Sequence, residues 1–352
     1  MDSGLADVIA AETVLSHSDG ARGQIWIRGH RLEDLAAAGG YEHAIAILWE
    51  GFVGEQLTAA GIRADLAAGR QRAFATLDTW CGAAAGRPLG EGLRIALATL
   101  PDDSPPAAIA AAFPVIIAAL IRRARGESGV PPDPALGAAA DLLRMISGYP
   151  ARPEAAAALD TYFTALIDNG LSASSFAARI IASTQASLAA AVVGAYGAFT
   201  GPRHGGAPGL VPAMLDEIAA SPDIDAWIEK KLDAGERLMG FGHRVFRVRD
   251  PRADILRGAL AKLGPDAGRL SFAAEVERRV LTALARRKPG RTLQTNVELN
   301  AALLLEAVGL PREAFVPVFA LARSAGWIAH ALEQRKTGRM IRPQSRYIGP
   351  MP

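Results

Sequence analysis

The sequence predicts a mainly α-helical protein, and three observations carry that prediction. The chain is alanine-rich and strand-poor, half of its residues are apolar, and only 6% are aromatic. Apolar residues recur at helical spacing in most segments that Gly and Pro delimit. One long stretch, Ser172 to Thr200, is apolar almost all round, with small residues at Ala173, Ser183, Ala186, Ala190, Gly194 and Gly197. A helix of that kind must be buried. Small residues also let helices approach closely, so this stretch suggests a helix–helix interface inside a dimer.

The N-terminal 30 residues read as irregular, with one short extended pair around Ile25, Trp26 and Ile27 after turn signals at Asp19-Gly20 and Arg22-Gly23. Arg31 to Ala38 reads as a short helix ended by Gly39-Gly40. Glu42 to Glu50 follows, with Ile45, Leu48 and Trp49 on one face. Pro101 to Pro106 is a loop, with Ser104 as N-cap and Pro105 at the first helical position. Ala107 to Ile121 is an apolar run, shorter than the ~20 residues of a spanning helix and interrupted by Pro114, so it reads as a core helix. Arg122 to Pro134 reads as a loop. Ala135 to Ser147 and Pro153 to Asp168 are amphipathic helices, and Gly170 ends the second. From Gly205 to about Leu310 charge rises, and shorter helices are separated by Ser221-Pro222, Gly264-Pro265 and Pro289-Gly290. This reads as a smaller lobe, residues 205–309, set against a large helical domain of residues 1–204 and 310–352. Glu313 to Lys336 returns to a long helix of buried type, with Trp327 and a structural, core-edge His330.

The charge balance is close to even, with 38 basic and 36 acidic residues and a formal net charge of +2. It gives no reason to expect nucleic acid or a membrane surface as partner. The one cysteine, Cys81, excludes an internal disulfide and a cysteine-cluster metal site. It suits a reducing cytoplasm and reads as a small packed residue beside Trp80. Met1 to Ala10 carries acids and no basic region, so no secretory signal is expected. No metal-ligand spacing of the HExxH type occurs, and neither a P-loop nor a GxGxxG motif; no metal, nucleoside triphosphate or NAD site is expected.

The chemistry concentrates in a few places. Gly240 to Arg252, GFGHRVFRVRDPR, puts His243 behind a flexible Gly-Phe-Gly turn, with Arg244, Arg247, Arg249 and Arg252 after it. Glycines let backbone approach a ligand, and arginines are planar forks suited to carboxylates and phosphates. Taken alone, such a run is either a solvated basic surface or an anion-binding loop. A second histidine, His204 in GPRHGG, lies between a helix end and a Gly-Gly turn. Glu298 in TNVE offers a carboxylate at the start of an apolar run, Arg323 sits among apolar residues, and Arg342 follows the last helix. Two histidines, a carboxylate and several arginines suit proton abstraction next to a carbonyl, with a dianionic co-substrate.

These motifs resemble those of the citrate synthase family. GFGHRVFRVRDPR resembles its signature loop, GPRHGG its GPLHGG, TNVE its PNVD, and IRPQSRYIGP its IRPxxxYxGP tail. The N-terminal GARGQIWIRGHRLEDLA is similar to its GxLxYRGxxIxDLA, so the resemblance runs from about Gly4 to Pro350. It implies an obligate, nearly all-helical homodimer with a large domain and a smaller, coenzyme A-binding lobe. It implies no permanently bound cofactor, a coenzyme A thioester as co-substrate, and condensation of acetyl-CoA with oxaloacetate to citrate. Glu298 would be the base, His204 the donor to the thioester carbonyl, and His243 the group that polarises the ketone. Arg252, Arg323 and Arg342 would hold the carboxylates, with Arg342 reaching across from a partner subunit. Coenzyme A would lie along Leu238, Met239, Gly240, Phe241 and Gly242, with Arg247 near a phosphate and Asn296 near the pantetheine arm.

Three departures stand out. Glu298 replaces the family's usual Asp. Asn169 and Ser172 in DNGLSASS stand where the family's HExNAST has an oxaloacetate-binding histidine and an asparagine. Asn169 can donate a hydrogen bond but cannot carry charge. Asn169 and Ser172 keep open another 2-oxo acid, and with Glu298 they keep open a non-catalytic paralogue that only binds ligand; propionyl-CoA also stays open as co-substrate, because one methylene in an acyl pocket is worth only ~1–3 kcal/mol of discrimination.

Overall fold

The computed structural model describes residues 8–205, 207–242, 246, 248–264, 269–287 and 293–351. His243, Arg244, Arg247 and the 265–268 and 288–292 segments lie outside the described residues. Three short antiparallel strands come first: β1 (Ser16–Asp19), β2 (Gln24–Ile27) and β3 (His30–Arg31), in the order β1-β2-β3. Helices follow: α1 (Leu32–Ala38), α2 (Gly40–Trp49), α3 (Ala59–Ala75), α4 (Leu77–Ala84), α5 (Leu89–Leu97), α6 (Pro106–Ala124), α7 (Ala138–Ser147) and α8 (Pro153–Ala165). Then come α9 (Ala173–Ser183), α10 (Leu188–Phe199), α11 (Val211–Ala219), α12 (Ile224–Asp233), α13 (Pro251–Lys262), α14 (Leu270–Arg287), α15 (Val297–Ala307) and α16 (Phe315–Thr337).

The mainly helical expectation holds, with differences in detail. The extended pair is a three-stranded sheet. β1 reads Ser-His-Ser-Asp, polar at every position, and no apolar alternation marks it. The stretch from Ser172 to Thr200 is two helices. Gln185 has φ +65°, which stops α9, and the Ser187 side chain accepts a hydrogen bond from the Ala190 N–H to start α10. That polar break lets the two apolar segments fold back and pack on each other. The N-terminus of α6 lies one residue later than expected, with Pro105 as N-cap and Pro106 at the first helical position. Pro114 does not interrupt α6, which runs to Ala124; Pro114 and its neighbours are buried, and packing outweighs the lost hydrogen bond. α7 begins at Ala138 rather than Ala135, and α8 ends at Ala165, leaving Leu166–Asn169 outside the helix. α14 has 18 residues, so the 205–309 segment is not uniformly built of short helices.

α16 is the central strut. Its residues from Val318 to Ala331 are almost all fully buried, and it packs against α9, α10, α6, α8 and α2. α6 and α16 are each long and apolar enough to cross a membrane, yet 72% and 89% of their most apolar windows are buried inside the protein. Burial of that extent is what core helices show. His330 lies on α16 with no exposed surface, a core residue rather than a core-edge one. Cys81 is partly buried next to the buried Trp80, and burial raises its thiol pKa, as expected of an inert cysteine.

Gly326 is where α16 meets the segment after α8. A Cβ at that position would lie 2.5 Å from the Ile167 carbonyl oxygen and 2.7 Å from Asp168 Oδ1. The Gly326→Ala variant is therefore expected to lose stability by about 1–3 kcal/mol, in spite of alanine's better helix propensity. A thermal-unfolding comparison checks this. A midpoint equal to or above that of the unaltered protein would show that the close approach is not constraining.

Candidate active site

The residues around the candidate site are positioned from four directions and by the turn that follows α10. The first is the 166–175 segment. Leu166 caps the end of α8, and Ser172 caps the start of α9, accepting from the Ser175 N–H. The turn between them carries Asp168 and Asn169. Asp168 is fully buried; its Oδ1 accepts from His330 Nε2 at 3.2 Å, and its Oδ2 accepts from the Ser16 hydroxyl. Burial would raise the Asp168 pKa, but His330, Arg323 and Ser16 together bring it down to about 2. His330 Nδ1 in turn accepts from Arg179 Nε at 3.0 Å, and Arg179 is paired with Glu333. The turn is thus fixed from below by a buried, satisfied network.

The second direction is the start of α13. Asp250 is the N-cap of that helix, with its carboxylate also paired to the Arg252 guanidinium through Nε (3.0 Å) and Nη2 (2.9 Å). Arg252 Nη1 donates to Asn169 Oδ1 at 3.0 Å, and the guanidinium lies over the Phe246 ring. Asn169 Nδ2 has no partner among the described residues, so it remains a donor for a ligand. The third direction is α16 itself. Arg323 is 2% exposed; its Nε donates to the Leu166 carbonyl at 2.8 Å and its guanidinium stacks over Phe319. Burial lowers its pKa to about 10, which leaves it charged at neutral pH. Its two Nη groups have no hydrogen-bond partner among the described residues.

His204 follows α10 in a tight turn closed by its own N–H bonding to the Gly201 carbonyl. Its ring packs edge-on to Phe199 and its Nε2 faces Ser174, with the Ser174 Oγ at 2.8 Å and the Ser174 backbone N–H at 3.4 Å. A backbone N–H can only donate. The Ser174 hydroxyl also receives a hydrogen bond from Trp327 Nε1 at 3.0 Å and lies 3.1 Å from the Ser172 hydroxyl. The backbone N–H contact makes Nε2 the acceptor, which puts the imidazole proton on Nδ1. Burial, with Arg323's charge adding, lowers the His204 pKa to about 4. At neutral pH His204 is a neutral imidazole with an N–H to offer.

The fourth direction is the start of α15. Asn296 is its N-cap, accepting from the Glu298 N–H at 2.9 Å. The preceding strand-like residues are stitched to the Gly240 turn. Phe241 bridges Thr295, the Gly242 N–H donates to the Gln294 carbonyl (2.8 Å), and the Asn296 N–H donates to the Gly240 carbonyl (2.9 Å). Asn296 Nδ2 donates to the Gly242 carbonyl at 3.0 Å. Gly240 (φ +89°) permits this: a Cβ there would be 2.8 Å from Leu299 Cβ. The Leu238–Gly242 segment, Asn296 and Glu298 therefore form one unit. Leu238 is buried, and Met239 and Phe241 are partly buried. The Glu298 pKa is raised by burial and by Asp250's charge, against the pull of Asn296 and Arg252.

His204, Arg252, Arg323 and Glu298 lie close enough for their charges to be felt in a chain: Arg323 on His204, Arg252 on Arg323, and Arg252 on Glu298. Arg342 is not part of this group within one chain. It lies on the exposed tail after α16, which is tied to the body where the Ile341 N–H bonds Ser183. His243 and Arg247 lie outside the described residues. Among the described residues no cluster of three His, Cys, Asp or Glu side chains is placed to hold a metal. Ser174, Asp168 and Ser16 carry no motif that reading the sequence would single out. Asp168 and Ser174 do lie within the DNGLSASS segment, but there only Asn169 and Ser172 stood out.

A family model for citrate synthase, C-terminal domain, matches residues 4–344. The chain belongs to the citrate synthase family. It is 36% identical to a citrate synthase of Haloferax volcanii over 98% of its own length and 95% of that protein's. A Mycobacterium tuberculosis protein that also bears a citrate synthase name is 47% identical, over 195 residues, 55% of this chain. The chain spans about half the length of that relative, 52%. The fold is similar to that of the crystal structure of citrate synthase from Thermotoga maritima, with a TM-score of 0.88, 31% identity, and coverage of 100% of this chain and 97% of that one. It is also similar to the Thermoplasma acidophilum citrate synthase in ternary complex with carboxymethyl coenzyme A and oxaloacetate, with a TM-score of 0.87, 26% identity, and coverage of 100% and 97%.

Proposed function

We propose that this protein condenses acetyl-CoA with oxaloacetate and water to give citrate and free coenzyme A. The observation that carries the reading is that the charges of Arg323 and Arg252 link a neutral imidazole, His204, whose Nε2 accepts from the Ser174 N–H, to a half-buried carboxylate, Glu298. An acyl thioester is a very weak carbon acid, and a carboxylate removes its proton only where the enolate oxygen meets a ready donor. A neutral imidazole is a suitable donor because it is not so acidic that it protonates the carbonyl in the ground state. Glu298 takes the proton from the acyl methyl group while His204 Nδ1–H stabilises the enol oxygen. The nucleophilic carbon then bonds to the ketone carbon of oxaloacetate, and the ketone oxygen takes up a proton, a role we assign to His243. Water cleaves the resulting thioester, releasing coenzyme A and the third carboxylate.

Arg252 and Arg323 receive the two carboxylates of the keto acid, and Asn169 Nδ2 donates alongside them. The thioester's coenzyme A lies along Leu238–Gly242 with Asn296 and Arg247, and no resident cofactor is needed. The Thermoplasma relative, in complex with a coenzyme A analogue and oxaloacetate, supports this pair of substrates. A cytoplasmic homodimer in which Arg342 completes the partner's site, and a 205–309 lobe that closes on keto acid, belong to the same proposal.

The test is thiol release from acetyl-CoA by the purified protein, followed with a thiol-reactive dye. Release that depends on oxaloacetate is the expected result. Absence of release with oxaloacetate, but release with another 2-oxo acid or with propionyl-CoA, would move the substrate assignment. No release with any pair would leave a binding protein.

A further inference from the structure

The N-terminal hairpin touches the site at both of its ends. β1 and β2 pair from Ser16↔Ile27 to Asp19↔Gln24, and the turn between them is shaped by Asp19, whose Oδ1 accepts from the N–H groups of Ala21 (3.0 Å) and Arg22 (2.9 Å). At one end, the Ser16 hydroxyl donates to Asp168 Oδ2 and accepts from the Gly170 N–H at 3.0 Å. Those two residues flank Asn169. At the other end, Gly23 (φ +64°) lies so close to the Val248-Arg249 backbone that a Cβ would be 2.7 Å from the Arg249 carbonyl oxygen and 2.9 Å from Val248 Cγ2. That backbone runs directly into Asp250 and Arg252. Asn169 and Arg252 are the two residues joined across the site by a 3.0 Å hydrogen bond.

We infer that the N-terminal hairpin is a positioning element for the keto-acid half of the site, with Ser16 setting the Asn169 turn and Gly23 setting the approach to Arg252. The geometry separates this role from folding. Without the Ser16 hydroxyl the Gly170 N–H still reaches Asp168 Oδ2 at 3.1 Å, and His330 still holds Oδ1. The turn survives but is no longer tied to the sheet. Asn169 then samples positions from which its amide and Arg252 do not converge, and the cost falls on the ligand that needs both. The acyl-CoA side, built on the Gly240 turn and α15, shares no hydrogen bond or ion pair with the hairpin among the described residues. The inference rests on the keto-acid reading of Asn169 and Arg252 proposed above.

The experiment compares Ser16→Ala and Gly23→Ala with the unaltered protein, measuring oxaloacetate binding by calorimetry, both KM values, kcat and thermal midpoint. Loss of one charge-assisted hydrogen bond is expected to weaken oxaloacetate binding and raise its KM by about tenfold in Ser16→Ala. The acetyl-CoA KM and kcat should stay within about twofold, since no interaction confined to the transition state is removed. Gly23→Ala is expected to act in the same direction through the other end. A general weakening of the fold would instead lower the midpoint and the active fraction and leave both KM values alone, which would overturn the inference. An unaltered oxaloacetate affinity in both variants, with the parent protein binding normally, would overturn it while sparing the reading of the site. A parent protein that binds no oxaloacetate would overturn both.

Discussion

Replacing Glu298 with Gln is expected to lower kcat on the order of a thousandfold and to leave oxaloacetate affinity nearly unchanged. The side chains are close in size, and the N-cap bond from the Glu298 N–H to Asn296 is made by backbone and survives. What is lost is the only carboxylate that the Gly240 turn and α15 together bring to this side of the site, among the described residues. Burial holds the Glu298 pKa above the ordinary carboxylate range. A raised pKa makes it a stronger base, and it also places the acid limb of kcat/KM above the usual carboxylate pKa of about 4.3. Glu298→Asp is a sharper probe. The α-carbon cannot follow the shortened side chain, because Leu299 is packed against Gly240. A displacement of about 1 Å can cost on the order of a hundredfold, so the residue type usual in the family should be worse here. Thiol-release kinetics and calorimetry on the two variants decide it. Turnover of Glu298→Gln within about tenfold of the parent would exclude Glu298 as the base.

Replacing His204 with Gln is expected to lower kcat by two to three orders of magnitude, roughly the worth of one donor to a developing oxyanion. The oxaloacetate KM should move little, since Arg252, Arg323 and Asn169 are untouched. The pH profile carries a second expectation. With its pKa lowered to about 4, His204 is neutral from about pH 5 upward, and protonation on Nε2 would break its contacts with Ser174 only in more acid solution. The kcat profile should therefore show no limb from His204 between about pH 5 and 8, the range where an unperturbed histidine titrates. Ser174→Ala should cost less than the loss of the ring. A limb near pH 6.5 that disappears in the His204 variant would mean that the imidazole works as a cation and that the assigned tautomer is wrong.

Much of this site is legible in the amino-acid sequence. GPRHGG, TNVE and GFGHRVFRVRDPR are contiguous, and each places its reactive side chain beside a turn or a helix start, which are local properties of a chain. Arg323 is legible for the opposite reason: a permanent charge on an otherwise apolar helical face has few explanations other than a buried anion site. Asn169 and Ser172 are legible as departures, but not what they do. The structure gives Asn169 a partner in Arg252 and turns Ser172 into a helix cap bonded to its neighbours.

By itself, then, the sequence determined the chemistry available and the helical character of the scaffold, because helix signals, caps and turn glycines act over a few residues. It could not determine the tautomer of His204, the buried Asp168–His330–Arg179 network or the tie from β1 to the Asn169 turn. Ser16 and Asp168 are 152 positions apart, and Ser174 and Trp327 are 153 apart. Such pairs leave no periodic trace, since a serine in a polar strand looks the same whether or not its hydroxyl meets a buried carboxylate. Only the packing of α16 against α9, with Gly326 letting the Ile167–Asp168 segment lie close on the helix, brings these groups within hydrogen-bonding distance.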